Sequence, residues 1–424
     1  MKLHTVFCDE GGNIYDHPKL LMAALDGPEP RAVSDRDVVP VPRGSDFMIL
    51  PERHPVGIDH HTGQPVVLER WKGDPVYAAA VFMAPAHTQT MRPAYVTLKD
   101  APVLPLFAYT ALGFARGQFW VAGLRVDTDP RQDPWRFKTD MIQKRIDKRL
   151  QHMGCNRLVQ QLVRCAMEYG CRAAQNFFLD RWEAPLPTSI ACNAQCVGCI
   201  SLQPDGQFKA SHERLDVPPT AEEIAEVAVG HIGRVKRAVV SFGQGCEGEP
   251  LLMGDLLEES IRLIRKETAQ GTVNLNTNGS FPDVVDRLFR AGLDSIRVSL
   301  NSPRRDLYDA YFKPQGYELA DVFETLKIAR TYEKISSINL LVFPGITDTE
   351  LELKVLVPLI DDVKPNMIQM RNLNIDPEIY IDSLPPNALS VGFGVKETMD
   401  RLKKRFPHLR FGYFNPPKET FGHN

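Results

Sequence analysis

The pattern of apolar and polar positions divides the chain into four stretches of different character. Up to about residue 135, short apolar runs alternate with Pro and Gly, which predicts β-strands. Apolar residues then recur every three or four positions, which predicts helices, before strand-like and helix-like segments begin to alternate. We therefore expect a β-rich accessory domain of unknown role at 1–135, a helical connector at 136–183, an α/β domain at 184–380, and a carboxyl-terminal helix and strand extension at 381–424.

The alternation in the α/β domain predicts a parallel sheet built from βα units. Side chains that follow the carboxyl ends of such strands form the usual ligand sites of this architecture. The expected strands are 186–190, 238–242, 273–276, 295–301, 338–342 and 367–371, and a further strand is expected at 409–413. In the β-rich domain, two hairpins are expected, over 56–68 and over 107–122.

Three cysteines directly after the first expected strand are the most distinctive chemical feature. Cys192, Cys196 and Cys199 are spaced as CxxxCxxC. A disulfide uses two cysteines and a closed zinc site normally uses four ligands, whereas a [4Fe-4S] cluster on three thiolates keeps one iron open. Zinc with His212 as the fourth ligand stays an alternative, and a simple electron-carrying cluster needs a fourth cysteine, of which the next along the chain is Cys246.

This cysteine loop resembles that of the radical S-adenosylmethionine (SAM) superfamily, whose signature is CxxxCx-aromatic-C. The chain departs from the signature at Gly198, which stands in the aromatic position. The resemblance implies a [4Fe-4S] cluster on the three cysteines, SAM bound through its amino and carboxylate groups to the open iron, and reductive cleavage of SAM to a 5'-deoxyadenosyl radical. It also implies an enzyme with an open (β/α)6 partial TIM barrel and a low-potential electron donor of the ferredoxin or flavodoxin type.

A Gly-rich turn after the second expected strand resembles the superfamily's GGE or GxGEP motif, which holds the amino group of SAM. The resemblance assigns this role to Gly245, Gly248, Glu249 and Pro250. The chain has an extra Cys-Glu pair inside the motif, so the alternative that Glu247 shares the role stays open.

Polar residues at the ends of the next two expected strands complete the predicted SAM site. By the same resemblance, Asn276, Asn278, Ser299 and Asn301 contact the ribose and the carboxylate of SAM. Residues of these types also occur in turns and helix caps that bind no ligand.

The remaining cysteines have competing interpretations. Cys246 is a candidate catalytic residue that donates a hydrogen atom near the radical, or else a small residue in a turn. Cys155, Cys165 and Cys171 do not share a face of one helix, so we expect buried free thiols there rather than a second cluster.

Composition narrows the class of partner. The chain has 424 residues, 43% of them hydrophobic, with a net charge of -3 and a pI near 6.4, so nucleic acid is not favoured over a small-molecule or protein substrate. Its 8 cysteines are too sparse for a disulfide framework and indicate a reducing compartment. No apolar run of about 18 residues occurs, and we expect a cytoplasmic protein with no membrane contact. The sequence does not identify the substrate.

Overall fold

The computed structural model describes residues 1–203 and 208–420, whose contacts form two compact units. The first unit contains residues 1–129, 341–355 and 370–407, and the second contains the rest of the described chain. Along the sequence, the chain passes from the second unit into the first at residue 341 and again at residue 370. The four consecutive ranges named above therefore stay a prediction of organisation along the sequence.

The first unit is β-rich, as the sequence predicts. The described residues form a twelve-stranded sheet whose main path is β13-β6-β2-β1-β10-β14-β15-β4, with antiparallel pairing. Its strands and those of two small ribbons are β1 (His4–Cys8), β2 (Ile14–Leu25), β3 (Pro30–Ala32), β4 (Val39–Pro40), β5 (Asp46–Leu50), β6 (Arg53–Asp59), β7 (Pro65–Val67), β8 (Arg70–Trp71), β9 (Asp74–Pro75), β10 (Tyr77–Phe82), β11 (His87–Gln89), β12 (Arg92–Pro93), β13 (Tyr95–Thr97), β14 (Thr110–Ala115), β15 (Gln118–Val121) and β16 (Gly123–Arg125).

Both predicted hairpins are present in this sheet. Strands β6 and β7 pair across the turn that follows Asp59, and β14 pairs with β15 across Arg116 and Gly117. The second hairpin begins at Thr110 rather than at Phe107, where the expected strand began.

The side chains of the central strand β10 are buried on both faces of this sheet. Successive side chains of a strand point to opposite faces. Ala78 and Ala80 pack with Leu50 and Leu104 on one face, while Val81 packs into a different buried cluster on the other. The apolar sequence of β10 therefore fits a strand whose two faces are both buried.

Three helices open the second unit: α1 (Thr139–Met153), α2 (Arg157–Met167) and α3 (Arg172–Phe178). Helix α2 is capped by Asn156, whose side-chain oxygen accepts from the backbone N–H of Val159 at 3.1 Å. This segment confirms the predicted change from strand to helix after residue 135.

A seven-stranded parallel sheet follows in the described residues, curled as a partial barrel, which confirms the predicted fold class. Its strands, in spatial and sequence order, are β17 (Glu183–Pro185), β18 (Val239–Phe242), β19 (Thr272–Thr277), β20 (Ser295–Leu300), β21 (Ile335–Val342), β22 (Met367–Asn372) and β23 (Arg410–Gly412). The helices of this region and of the carboxyl-terminal segment are α4 (Ala221–Arg234), α5 (Gly254–Glu267), α6 (Pro282–Ala291), α7 (Arg305–Phe312), α8 (Leu319–Thr331), α9 (Glu350–Val363), α10 (Pro377–Ser383) and α11 (Val395–Arg405).

One barrel strand differs from the prediction in a way that bears on the site. The first barrel strand ends at Pro185 and does not extend over 186–190, because Pro185 and Pro187 have no N–H to continue a ladder. Leu186 still donates its N–H to the carbonyl of Ser241 at 2.8 Å. The predicted final strand is present as β23, a seventh strand that pairs in parallel with β22 at the edge of the sheet. In the described part of the chain, no helix is long and apolar enough to cross a membrane.

Candidate functional site

We refer to residues 191–200 as the cysteine loop and to residues 243–250 as the Gly-rich turn. The cysteine loop follows the first barrel strand and lies against the Gly-rich turn. The backbone N–H of Gly248 donates to the carbonyl of Ser189 at 2.7 Å, and that of Glu249 donates to the carbonyl of Ala191 at 2.8 Å. A Cβ atom on Gly248 would lie 1.8 Å from the carbonyl oxygen of Ala191, so only glycine allows this approach. The two loops are therefore joined backbone to backbone at the carboxyl ends of β17 and β18.

The other side of the cysteine loop rests on the end of α7 and the turn after it. The N–H groups of Gln195 and Val197 donate to the carbonyls of Phe312 and Tyr311, each at 2.9 Å. Ala194 forms an isolated bridge with Pro314. Contacts on both sides hold the loop in place although it has no regular secondary structure.

Cys192, Cys196 and Cys199 are half-buried free thiols in this loop. Burial raises the pKa of Cys192 to about 11 and raises the pKa of Cys196 well above its ordinary value, and the neighbouring cysteines add to both shifts. The Arg214 guanidinium lies 4.0 Å from the Cys199 sulfur. A bound cationic group supplies the charge that three buried thiolates need, so this donor set fits an iron–sulfur cluster.

His212, the alternative zinc ligand, has other contacts. Its Nδ1 lies 3.1 Å from the Ser211 hydroxyl, and its ring packs against Tyr169 with the centroids 5.3 Å apart. Within residues 1–203 and 208–420, no three His, Cys, Asp or Glu side chains converge as ligands of a single metal ion.

Aromatic side chains beside the cysteine loop were not identified from the sequence. Tyr308 and Phe312 of α7 stack with ring centroids 4.5 Å apart, and the buried Tyr308 and Tyr317 hydroxyls lie 3.2 Å apart. Burial raises the pKa of both tyrosines, and the negative charge of Cys196 adds to each shift. The only sequence signal is the aromatic spacing of α7, which is equally typical of a core helix.

The two glutamates of the Gly-rich turn have different partners. The carboxylate of Glu247 accepts from the N–H groups of Thr188 (2.7 Å), Ser189 (3.0 Å), Gly243 (2.7 Å) and Gln244 (2.7 Å), and also from the Thr188 hydroxyl at 3.0 Å. It therefore ties the segment after β17 to the turn after β18. Burial raises its pKa in spite of these bonds.

Glu249 lies nearer the cysteine loop. Its carboxylate accepts from the N–H of Leu251 at 3.0 Å, the hydroxyl of Thr277 at 2.5 Å and the N–H of Asn278 at 2.8 Å. Burial raises its pKa to about 7, and its charge in turn contributes to the raised pKa of Cys192 and Cys196. Pro250, the next residue, is buried and opens a short 3₁₀ helix, Pro250–Met253.

The glycines of the turn are required by close packing. Gly243 has a φ of 76°, and a Cβ atom there would lie 1.7 Å from the carbonyl oxygen of Asn276. A Cβ atom on Gly245 would lie 2.7 Å from the Ile200 side chain, at the end of the cysteine loop. The predicted Gly245 and Gly248 therefore lie where the Gly-rich turn contacts the cysteine loop, whereas Gly243, which was not predicted, packs against β19.

Asn276 and Asn278 both make structural contacts. The amide of Asn276 donates to the carbonyls of Phe242 at 2.9 Å and Gly243 at 3.0 Å, so it fixes the start of the Gly-rich turn. The amide of Asn278 donates to the side-chain oxygen of Asn193 at 2.8 Å, so it holds the cysteine loop. The Nδ2 atom of Asn193 is buried and has no hydrogen-bond partner among the described residues.

Of the two predicted residues that follow on β20 and after it, Asn301 retains unused hydrogen-bonding capacity. Ser299 is half-buried on β20. Asn301 donates its amide to the carbonyl of Leu307 at 2.8 Å, while its Oδ1 atom is buried without a partner among the described residues. The orphaned atoms of Asn193 and Asn301 are the kind of buried group that a bound polar ligand satisfies.

Cys246 lies among other cysteines rather than with the cysteine loop. Cys165 of α2 lies close enough for each of the two thiols to shift the pKa of the other, and the charge of Cys171 adds to the raised pKa of Cys246. Burial raises the pKa of Cys171 to about 11. We refer to the buried Cys165 and Cys246 together with the half-buried Cys171 as the buried thiol group; the expectation that Cys155 is buried was wrong, because its side chain is exposed. The role of Cys246 as a hydrogen-atom donor stays a prediction.

The interior of the barrel contains a polar network that the sequence analysis did not identify. Side chains two positions apart on one strand share a face, so Asn274 and Asn276 both point into the barrel. Glu183 accepts from Ser241 at 2.7 Å and from Asn415 at 3.1 Å, and Asn274 accepts from Ser295 at 2.8 Å. The buried members are Glu183, Ser241, Asn274, Asn276, Ser295, Gln369 and Asn415.

Comparison with known proteins identifies the class. Residues 186–354 match the family model of the radical SAM superfamily, a range that contains the cysteine loop, the Gly-rich turn and strands β19 to β21. These residues form a radical SAM domain.

Individual relatives match only part of the chain. The FeMo cofactor biosynthesis protein NifB of Klebsiella pneumoniae is 28% identical over 39% of this chain and 38% of its own length. A GTP 3',8-cyclase of Clostridium botulinum is 26% identical over 38% of this chain and 47% of its own length. The solved structure of Streptococcus suis SuiB bound to S-adenosylmethionine aligns with a TM-score of 0.40 at 13% identity, over 58% of this chain and 55% of that chain. The chain thus spans less than half the length of these two curated relatives.

Proposed function

We propose that this protein is a radical SAM enzyme that reductively cleaves SAM at a [4Fe-4S] cluster to generate a 5'-deoxyadenosyl radical, which acts on a substrate not yet identified. Cys192, Cys196 and Cys199 hold the cluster. The observation that carries the proposal is the joining of the cysteine loop to the Gly-rich turn at the carboxyl ends of adjacent parallel strands, within the matched radical SAM range.

The bound cluster supplies the electron that splits SAM. The chain's own residues position the reactants and keep out water. Glu247 fixes the relative position of the two loops, and Glu249 places a carboxylate close to the cysteines, where it is suited to the ammonium group of SAM. The unpartnered amide nitrogen of Asn193 and the unpartnered oxygen of Asn301 are suited to polar groups of SAM or of a substrate.

The partners and location follow from the same proposal. Reduction of the cluster requires a low-potential donor, and a protein of the ferredoxin or flavodoxin type is suited to this role. The buried polar network of the barrel favours a substrate with several hydrogen-bonding groups. An oxygen-sensitive cluster and free cysteines fit a cytoplasmic location.

The deciding experiment uses the full chain, reconstituted with iron and sulfide without oxygen and reduced with dithionite. We expect 5'-deoxyadenosine and methionine to form when SAM is added, and none to form when dithionite is left out. A protein that contains a [4Fe-4S] cluster and binds SAM yet yields no 5'-deoxyadenosine would contradict the proposal. A colourless protein that takes up zinc and no iron would favour the zinc-binding alternative.

A further inference from the structure

A cavity of about 440 Å³ lies among the helices of the second unit and shares no residue with the candidate functional site. Residues of α1 and α4, together with Asp180 just after α3, form its wall. Its charged and titratable lining consists of Arg145, Lys148, Arg149, His152, Asp180, Glu226 and Arg234.

Positive charge in this cavity exceeds the negative charge available to balance it. Asp180 accepts from Arg149 at 2.7 Å and from Arg234 at 2.8 Å, and lies 3.6 Å from Arg145. One carboxylate is thus shared by three guanidinium groups. Glu226, the other carboxylate, accepts from the amide of Asn156 at 2.7 Å.

Among the arginines that line the cavity, Arg149 has a buried nitrogen that lacks a hydrogen-bond acceptor in the described part of the chain. Its side chain is only 10% exposed, and its Nη1 atom is buried without a hydrogen-bond partner among the described residues. The guanidinium lies 4.7 Å from the centroid of the Phe177 ring, which limits its orientation. Burial lowers the pKa of Arg149, and the charges of Arg234 and Arg145 lower it further. Arg149 donates to Asp180 through one nitrogen, but its buried Nη1 atom has no acceptor within residues 1–203 and 208–420. A buried charged group with an unpaired N–H is unfavourable, so the arrangement favours binding of an anion.

We propose that this cavity binds the phosphate group of a small molecule. Arginine donates in a planar fork that matches phosphate oxygens, and several cations around one concave site match a doubly charged group. Arg149 supplies a buried donor, the exposed Lys148 and Arg145 supply further positive charge, and Asp180 fixes the orientation of the fork. The site does not depend on the cluster or on SAM, so it stands whether or not the proposed reaction is correct.

The first test measures binding of inorganic phosphate, pyrophosphate and malonate by isothermal titration calorimetry on the full chain, in a buffer free of phosphate and sulfate. We expect saturable binding of one pyrophosphate, weaker binding of phosphate, and still weaker binding of malonate. The melting temperature should rise with pyrophosphate concentration, because the ligand binds only the folded protein. Absence of saturable pyrophosphate binding would overturn the proposal, and tighter binding of malonate would replace phosphate with a carboxylate ligand.

The second test compares two charge reversals at exposed helical lysines. Lys148→Glu places a negative charge at the cavity, and Lys266→Glu makes the same change on α5, away from it. We expect Lys148→Glu to weaken pyrophosphate binding about tenfold or more and Lys266→Glu to leave it unchanged. Equal weakening by both variants would mean attraction to the whole surface, as for an acidic protein, and would overturn the cavity proposal. Arg149→Lys, which keeps the charge and loses the fork, should also weaken binding.

Discussion

The cysteine loop and the buried thiol group each bring three cysteines together, but in different ways. Cys192, Cys196 and Cys199 lie within eight residues of one loop, where burial and the charges of neighbouring cysteines raise the pKa of Cys192 and Cys196. Cys165 and Cys246 are 81 residues apart in the chain, and each thiol shifts the pKa of the other. Three thiols on one short loop suit a cluster, whereas Cys165 and Cys246 are brought together by the packing of α2 against the Gly-rich turn.

The largest expected difference between the two groups is in cluster binding. We expect Cys196→Ala to lose the [4Fe-4S] cluster and all 5'-deoxyadenosine formation, because one iron loses its only protein ligand. The matched variant Cys165→Ala should keep both. Iron content and product yield of the reconstituted proteins provide the measurement. Iron and activity at normal levels in Cys196→Ala would contradict the assignment of the cysteine loop.

Glu247 lies next to Cys246 in sequence and stabilises the loop junction beside both groups. We expect Glu247→Ala to lower the free energy of unfolding by about 3–5 kcal/mol, because four N–H groups lose their acceptor, two of them buried and two half-buried. Glu247→Gln should lower the free energy of unfolding by less, because the amide oxygen of Gln can still accept some of these hydrogen bonds. Urea unfolding monitored by circular dichroism measures both values. A cost below about 1 kcal/mol for Glu247→Ala would mean that the junction is held mainly by the backbone bonds at Gly248 and Glu249.

Glu249, near the cysteine loop, should make stability depend on pH in the absence of cluster and SAM. Its folded-state pKa is raised to about 7 from an ordinary value of 4.5, so the folded state binds the proton more tightly. This contribution is fully present below about pH 4.5 and is lost as the pH rises through 7. The melting temperature of Glu249→Gln, measured from pH 5 to 8, should therefore fall less than that of the wild type. Identical slopes for the two proteins would show that Glu249 is charged throughout this range.

The smallest expected effect comes from removing the contact in the buried thiol group. We expect Cys246→Ala to cost about 1 kcal/mol of stability and to leave cluster content unchanged, because the thiol packs as a small apolar group. Treatment of the wild type with a thiol oxidant should join Cys165 and Cys246 as a disulfide, with loss of two hydrogens visible in the mass of the linked peptides. A large fall in 5'-deoxyadenosine formation in Cys246→Ala, at normal cluster content, would instead support its predicted catalytic role.

Local sequence patterns were enough to predict those parts of the molecule whose structure depends on residues close together in the chain. The helical period after residue 135, the alternation of strand and helix after 184 and the CxxxCxxC loop all depend on residues close together in the chain, and each is present in the structure. The end of the first barrel strand was misplaced because Pro185 and Pro187 end the ladder within an otherwise apolar run.

Only the tertiary structure decided which distant residues meet. Glu247 and Glu249 are two residues apart and equally acidic, yet they have different partners. Glu247 accepts from the N–H groups of two loops, whereas Glu249 accepts from the N–H of Asn278 at the end of β19. The tertiary structure also paired Cys246 with Cys165 and placed Arg149 beside Asp180 at the cavity. Such contacts depend on how the helices and strands pack around the barrel, and residues far apart in sequence carry no periodic signal that reports this packing.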